Sequence, residues 1–120
     1  MKDQYLELIV KFSESPTPIQ TDITLVVAGF LVSGFVISKD EFMQIHPLTK
    51  TMQDEIDKLR AANPEDVLPD DGERNYIHLR EAKYLTPGGS SIPTNQGVAC
   101  RFKLEDVAGY HLGVLTTAPA

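Results

Sequence analysis

Residues 23–37 read ITLVVAGFLVSGFVI, and this stretch decides which class of fold the chain adopts. The run has no charge, but it is shorter than the roughly 20 apolar residues that a membrane-spanning helix needs. It is rich in β-branched residues, which lose rotamer freedom in a helix and pack well on a pleated sheet. Gly29 and Gly34 would each cost a helix interior about 1 kcal/mol. The stretch therefore predicts two strands, at about 22–28 and 30–37, joined as a hairpin.

The hypothesis about function is based on the two faces of this hairpin. We place the tight turn at Ala28-Gly29, because glycine accepts positive φ, and a bulge or bend at Gly34. Both faces of both strands are apolar, whereas a hairpin with one wet face would alternate. We therefore expect the core to cover one face, and a helix or a neighbouring subunit to cover the other. The candidate protein-contact residues are Val26, Ala28, Phe30, Val32 and Phe35.

Length and charge exclude several classes of protein. A chain of 120 residues makes one domain with a single core. The net charge of −6 disfavours nucleic acid and anionic membrane surfaces, because phosphate binding needs lysine and arginine. The one cysteine rules out an internal disulfide and a multi-cysteine zinc site. With no transmembrane or targeting segment in view, we expect a cytoplasmic protein that binds neither nucleic acid nor membrane.

The segments beside the hairpin predict one more strand and a helical insertion. LELIVKF alternates apolar and polar residues, which predicts a strand at about 4–13. Ser38 and Glu41 have the spacing of a capping box, so a helix begins there. Pro47 interrupts or restarts it, and the helical insertion covers about 39–62. Its apolar stripe is expected to cover one side of the sheet, and consists of Leu48, Met52, Ile56 and Leu59.

The second half of the chain predicts three further strands. Five acidic residues, two prolines and one glycine predict a mobile acidic loop at about 64–74. YIHLREAKYL (about 75–85) and VACRFKLED (98–106) are strands, with a turn at 106–109 and a last strand at about 110–117. The predicted class is therefore α+β: a small, strongly bent antiparallel sheet of about six strands, or an SH3- or Sm-like barrel.

No arrangement of chemical groups in the sequence predicts a reaction, a metal site or a cofactor. None of the three histidines lies three or four residues from another histidine or cysteine. Cys100 alternates in phase with Val98 and Phe102, which predicts a buried, inert thiol. Two alternatives to a protein-contact role remain: an Sm-like nucleic-acid-binding barrel, and a small-ligand or enzymatic pocket. The residues of that pocket would be Tyr76, His78, Arg101 and Tyr110.

The order of three motifs resembles the gas-vesicle accessory protein U family. The motifs are the hairpin pattern ITL-x-V-x-G-x-LVSG-x-x-IS, the YIHL strand and the ending R-x-K-L-x-x-V-x-G-(Y/F)-x-LG. The resemblance covers Leu6 to Thr116. The ending is formed here by Arg101, Lys103, Leu104, Val107, Gly109, Tyr110, Leu112 and Gly113.

This resemblance implies a cytoplasmic accessory role in building, organising or clustering gas vesicles, which are hollow organelles walled by small, very apolar protein subunits. It implies no enzymatic activity and no site residues. The family tends to have a longer polar C-terminal tail than the TTAPA of this sequence. Homo-oligomerisation through the hairpin or an edge strand is the expected mode of action, with gas vesicle shell or accessory proteins as further partners.

Overall fold

The structure, a computed structural model, describes residues 1–86, 88, 90–93 and 96–115. Within these ranges the chain forms three α-helices and a six-stranded antiparallel sheet, so the predicted α+β class is confirmed. The elements are α1 (Gln4–Phe12), β1 (Thr21–Val27), β2 (Phe30–Ile37), α2 (Lys39–Ile45), α3 (Pro47–Ala62), β3 (Tyr76–Leu85), β4 (Ser91–Ile92), β5 (Val98–Lys103) and β6 (Val107–Leu112), with 3₁₀ turns at Pro64–Asp66 and Leu104–Asp106.

The predicted hairpin is confirmed as β1 and β2, which pair without a break up to Val27 and Phe30. Ala28 and Gly29 connect them, with φ angles of 50° and 85°. Positive φ at both positions matches the right-handed twist of the flanking strands, and glycine adopts it without strain. The turn therefore lies where the sequence places it.

The sheet bends at a bulge where three strands approach closely. The β2–β3 register breaks at Gly34, as predicted, and the extra residue on β3 is Glu81, with φ 55°. A Cβ on Gly34 would lie 3.1 Å from the Cα of Ala82, and one on Gly97 would lie 2.2 Å from the backbone carbonyl carbon of Glu81. Because a bulge increases strand twist, these two glycines let β2 and the start of β5 follow the bend of β3.

The chain between β5 and β6 draws the two edges of the sheet together. The strand order is β5-β3-β2-β1-β6, and the short β4 also pairs with β3. In a flat sheet the outer strands would lie about 19 Å apart, yet the chain from Lys103 to Val107 spans at most about 14 Å. The sheet is therefore strongly bent. No ladder joins β5 to β6 in the described ranges, so the alternative of a closed SH3- or Sm-like barrel is not formed.

The turn between these strands comes earlier than predicted. Leu104–Asp106 form the 3₁₀ turn, and β6 already begins at Val107, so the turn predicted at 106–109 is wrong. The Leu104 side chain is fully buried, and its N–H donates to the carbonyl oxygen of Asn75 at 2.8 Å. This hydrogen bond anchors the chain next to the start of β3. As a consequence, β5 ends at Lys103 and the chain turns there.

The last strand is correspondingly displaced toward the N-terminus. β6 covers Val107–Leu112, whereas the sequence predicts a strand at about 110–117. Residues 116–120, which include the end of that strand and the TTAPA tail, lie outside the described residues.

The N-terminal segment is a helix, so the strand predicted at 4–13 is wrong. A carboxylate oxygen of Asp3 accepts a hydrogen bond from the N–H of Leu6 at 2.9 Å and caps the helix. Leu6 and Val10, one helical turn apart, are buried in the core, whereas Leu8 is 45% exposed. The apolar residues of this segment fit both the period of two of a strand and the period of about 3.6 of a helix. The helix is favoured because its single apolar stripe packs into the concave face of the bent sheet.

Polar contacts fix α1 to the start of β3. A carboxylate oxygen of Glu7 accepts hydrogen bonds from the backbone N–H of Arg74 at 2.7 Å and from Lys2 at 3.1 Å. These bonds hold the pKa of the Glu7 carboxyl below its usual value. The Arg74 guanidinium extends this cluster through ion pairs with Glu14 at 2.7 Å and with Asp70 at 3.0 Å.

The helical insertion is confirmed as two helices separated by a break at His46-Pro47. The Ser38 hydroxyl accepts from the N–H of Glu41 at 3.1 Å, which is the predicted cap of α2. The long helix α3 then ends at Ala62, before Asn63 and Pro64.

The apolar stripe of α3 does not cover the sheet, which contradicts the prediction. Leu48, Met52, Ile56 and Leu59 are 62%, 48%, 36% and 65% exposed, and no residue of α3 is buried. The helix packs on α2 instead, and a cleft separates it from the sheet.

Two other segments cover parts of the face of the sheet that points away from the core, here called the outer face. At one end α2 buries Met43, and the Phe42 ring lies 4.9 Å from the ring of His78. Farther along, residues 113–115, here called the C-terminal strap, cross β1 and β2. Buried Thr24 and Ser33 hold the strap by hydrogen bonds.

Candidate functional site

The five candidate contact residues divide between the two faces of the hairpin. Val32 lies on the core face and is fully buried, while Phe30, also on that face, is 37% exposed at the end of the strand. Val26 and Phe35 lie half-buried on the outer face, and Ala28 is exposed in the turn. The structure therefore groups Ala28 and Phe30 at the tip, and separates Val26 and Phe35 from the core residue Val32.

An apolar patch lies on the outer face beside the hairpin turn. Val26 pairs with Leu31, and Leu31 pairs with Leu85 of β3; all three are half-buried. Gly109 of β6, opposite Val26, contributes no side chain to this patch. We call these three leucine and valine side chains the outer patch.

Phe35 lies farther along the outer face and is capped by a charge. The guanidinium carbon of Arg80 lies 4.9 Å from the centre of the Phe35 ring, which is a cation–π contact. Arg80 also lies 3.8 Å from a carboxylate oxygen of Glu41 on α2. The Arg80 guanidinium thus covers one side of the Phe35 ring, and the outer patch lies farther toward the hairpin turn.

A cleft of about 1120 Å³ lies between α3 and the sheet. Ile56 and Leu59 form part of its helical wall, and Tyr76, His78 and Arg101 form part of its sheet wall. The guanidinium carbon of Arg101 lies 3.7 Å from the centre of the Tyr76 ring. The structure therefore brings together three of the four residues proposed for a ligand pocket.

The fourth residue, Tyr110, is not part of this cleft. It lies on β6 opposite Leu25 and packs against the core beside α1. Burial and the Asp3 carboxylate raise the pKa of its hydroxyl. The pocket predicted from the four residues is thus not formed as a unit.

His78 is a buried polar residue in the wall of the cleft. It is 4% exposed, and its Nε2 atom has no hydrogen-bond partner among the described residues. Burial lowers the pKa of His78 to about 4, and the positive charges of Arg101 and Lys39 contribute to the shift. The ring is therefore neutral near pH 7, which suits its contact with Phe42.

Cys100 does not have the surroundings of a nucleophile. It is half-buried against the core, and burial raises the pKa of its thiol to about 11. Nucleophilic cysteines have lowered pKa values and open, electropositive sites. Among the residues that the structure describes, no group of three His, Cys, Asp or Glu side chains is placed to hold a metal ion.

The sequence interpretation missed an apolar stripe on α1 that points away from the core. Tyr5, Leu8 and Phe12 are 76%, 45% and 57% exposed. Their spacing of three and four residues is the helical signal that would have revealed them. In the described part of the chain, no helix is long and apolar enough to cross a membrane.

The comparison with protein families decides what kind of protein has this surface. A family model described as gas vesicle protein GvpU-like matches residues 3–115. This chain belongs to the GvpU-like family. The match confirms the resemblance seen in the hairpin, the YIHL strand and the ending of the chain.

Membership of the GvpU-like family makes this chain a gas vesicle accessory protein, and the family is not known for enzymes. The searches of curated proteins and of solved structures gave no significant match.

Proposed function

We propose that this GvpU-like protein is a cytoplasmic, non-enzymatic accessory protein that acts in the assembly, organisation or clustering of gas vesicles through protein–protein contacts. The family match supports the vesicle role. The observation that carries the contact role is the outer patch of the hairpin, where Val26, Leu31 and Leu85 remain partly exposed although they belong to the middle of the sheet.

The tip of the hairpin extends this surface. Ala28 is exposed and Phe30 is 37% exposed, so apolar atoms continue around the turn from the outer patch. Contiguous exposed apolar area on a monomer is typical of a protein-contact site. We propose that Val26, Ala28, Phe30 and Phe35 contact the partner, with Val32 supporting them from the core. The partner is a second copy of the chain or a gas vesicle shell or accessory protein.

The experiment uses a gas-vesicle-producing host from which the gene has been deleted. The wild-type gene, Val26→Glu and Ala108→Glu are each returned, and vesicle number, size and arrangement are compared by electron microscopy. Val26→Glu places a charge in the outer patch, whereas Ala108→Glu places the same charge on an exposed position of β6. Circular dichroism and thermal unfolding verify that both variants fold.

We expect the deletion to change the vesicles, and the wild-type gene and Ala108→Glu to restore them. Val26→Glu is expected to fold but not to restore them. Vesicles that are unchanged by the deletion would contradict the vesicle role. Full restoration by Val26→Glu would contradict the role of the outer patch.

A further inference from the structure

The apolar stripe of α3 is a second surface that the described part of the chain leaves largely exposed. Its four side chains follow the helix at spacings of four, four and three residues and are between 36% and 65% exposed: Leu48, Met52, Ile56 and Leu59. A helix of 16 residues with such a stripe needs an apolar partner, because its stability in a protein comes mainly from packing of that face.

The cleft beside α3 has about the volume of a short piece of helix. Ile56 and Leu59 face into its volume of about 1120 Å³. A helix about 10–12 Å in diameter with a pitch of 5.4 Å would fill that volume with about two turns. The apolar side chains of Val67 and Leu68, 45% and 87% exposed, line the same cleft after α3 ends. The volume and the apolar side chains on one wall therefore match about two turns of a second amphipathic helix.

We propose that the α3 helix of a second copy of this chain occupies this space, parallel to the first, as a short two-stranded coiled coil. With Met52 and Leu59 at d positions and Ile56 at an a position, Glu55 is at a g position and Arg60 at an e position. In a parallel coiled coil, g and e residues five apart face each other between helices. Glu55 of each copy then faces Arg60 of the other.

Charge selects the parallel arrangement over the antiparallel one. In an antiparallel pair centred on the stripe, g positions face g positions, so Glu55 would approach its own copy and like charges would repel. Within one copy Glu55 contacts only the exposed Lys58 among the ion pairs of the described residues, at 3.4 Å. Such an exposed pair contributes little, so Glu55 is available to change its partner.

This interface is separate from the outer patch of the hairpin, and it does not depend on the vesicle role. Purified protein is therefore sufficient to test it. Light scattering coupled to size exclusion measures mass over a wide concentration range for the wild type, Leu59→Lys, Glu55→Arg, Arg60→Glu and the double charge reversal. We expect a concentration-dependent dimer whose association weakens at least about a hundredfold in Leu59→Lys.

The charge variants test the orientation of the helices. Glu55→Arg and Arg60→Glu are each expected to weaken the dimer, and their combination to restore it. A wild type that stays monomeric at every concentration would overturn the proposal, whether the stripe is then covered by the chain's own sheet or by another protein. A double reversal that does not restore the dimer would overturn the parallel arrangement.

Cysteine cross-linking tests the same contact without altering charge. In a Cys100→Ala background, Leu59→Cys is expected to form an interchain disulfide under mild oxidation. Asp54→Cys, on the opposite face of α3, is the matched control and is expected to remain largely uncross-linked. Equal cross-linking of the two variants would exclude a specific α3 interface. Leu59 and Asp54 are both exposed, so their replacement should leave the fold intact, and circular dichroism verifies this.

Discussion

The hydroxyl groups of two buried residues, Thr24 and Ser33, lie 2.7 Å apart across the hairpin. Each hydroxyl also binds the C-terminal strap: Thr24 donates to the carbonyl oxygen of Gly113 at 2.8 Å, and Ser33 accepts from the N–H of Leu115 at 2.9 Å. Buried polar groups are expensive unless they are paired. This pair is satisfied only while the strap is in place, so it couples the hairpin to the end of β6.

Removing one hydroxyl should loosen the strap. Thr24→Val keeps the shape of the side chain but leaves the Gly113 carbonyl without its partner, so we expect a loss of about 1–3 kcal/mol in the free energy of unfolding. Urea unfolding measures this loss, and hydrogen exchange should show faster exchange at the Leu115 amide. Thr51→Val, on an exposed position of α3, is the control. Equal stabilities of the two variants would show that the strap is not held by this bond.

A pair of leucine variants tests the helical assignment of α1. Leu6→Ala removes a side chain that is 0% exposed, and we expect it to lower the free energy of unfolding by about 2–5 kcal/mol. Leu8→Ala affects a side chain that is 45% exposed, so its effect should be below about 1 kcal/mol. A strand would place both residues on one face and give similar losses. Chemical denaturation of the two variants distinguishes the assignments.

The difference between these two leucines also shows how far the sequence predicts the fold. In the hairpin, the β-branched residues favour strands and the glycines mark a turn and a bulge. These local signals are consistent with one another, so the strands, the turn and the bulge are predicted correctly. In α1 the apolar residues fit both a period of two and a helical stripe through Leu6 and Val10. The choice depends on the concave sheet formed by residues far along the chain, and the cap at Asp3 is the local signal that the interpretation missed.

The candidate site was predictable only in part, for a related reason. Composition identifies the hairpin as apolar on both faces, but alternation alone does not show that Val32 is buried while Val26 is partly exposed. The strap that covers Thr24 comes from the other end of the chain. Likewise, periodicity identifies the stripe of α3, but its exposure is a property of tertiary packing.

A pair of glycine variants tests the bend of the sheet. A Cβ at Gly97 would lie 2.2 Å from the backbone of Glu81, a separation that forces strands β3 and β5 apart. We expect Gly97→Ala to destabilise the fold by about 3 kcal/mol or more. Gly109→Ala is the control, because a Cβ there meets no atom of the described residues within 4 Å. Thermal unfolding that gives equal losses for both variants would contradict the close approach at the bulge.

Acid should destabilise the fold through His78. Its pKa is lowered from 6.5 to about 4 in the folded chain, chiefly by burial. Between those values the unfolded chain binds a proton that the folded chain does not, so stability falls as pH decreases from about 6.5 towards 4. At one pKa unit per 1.36 kcal/mol, the loss attributable to this residue approaches about 3 kcal/mol near pH 4. Above pH 6.5 it contributes no pH dependence.

Replacing the titrating ring isolates this contribution from that of the carboxylates. His78→Phe keeps an aromatic ring beside Phe42, so we expect its stability to decrease less than that of the wild type between pH 7 and about pH 4.5. Thr51→Val, at an exposed position of α3 and without a titrating group, should follow the wild type. Urea unfolding at both pH values measures the difference. If His78→Phe loses as much stability on acidification as the wild type, then the buried imidazole is not the source of the acid sensitivity.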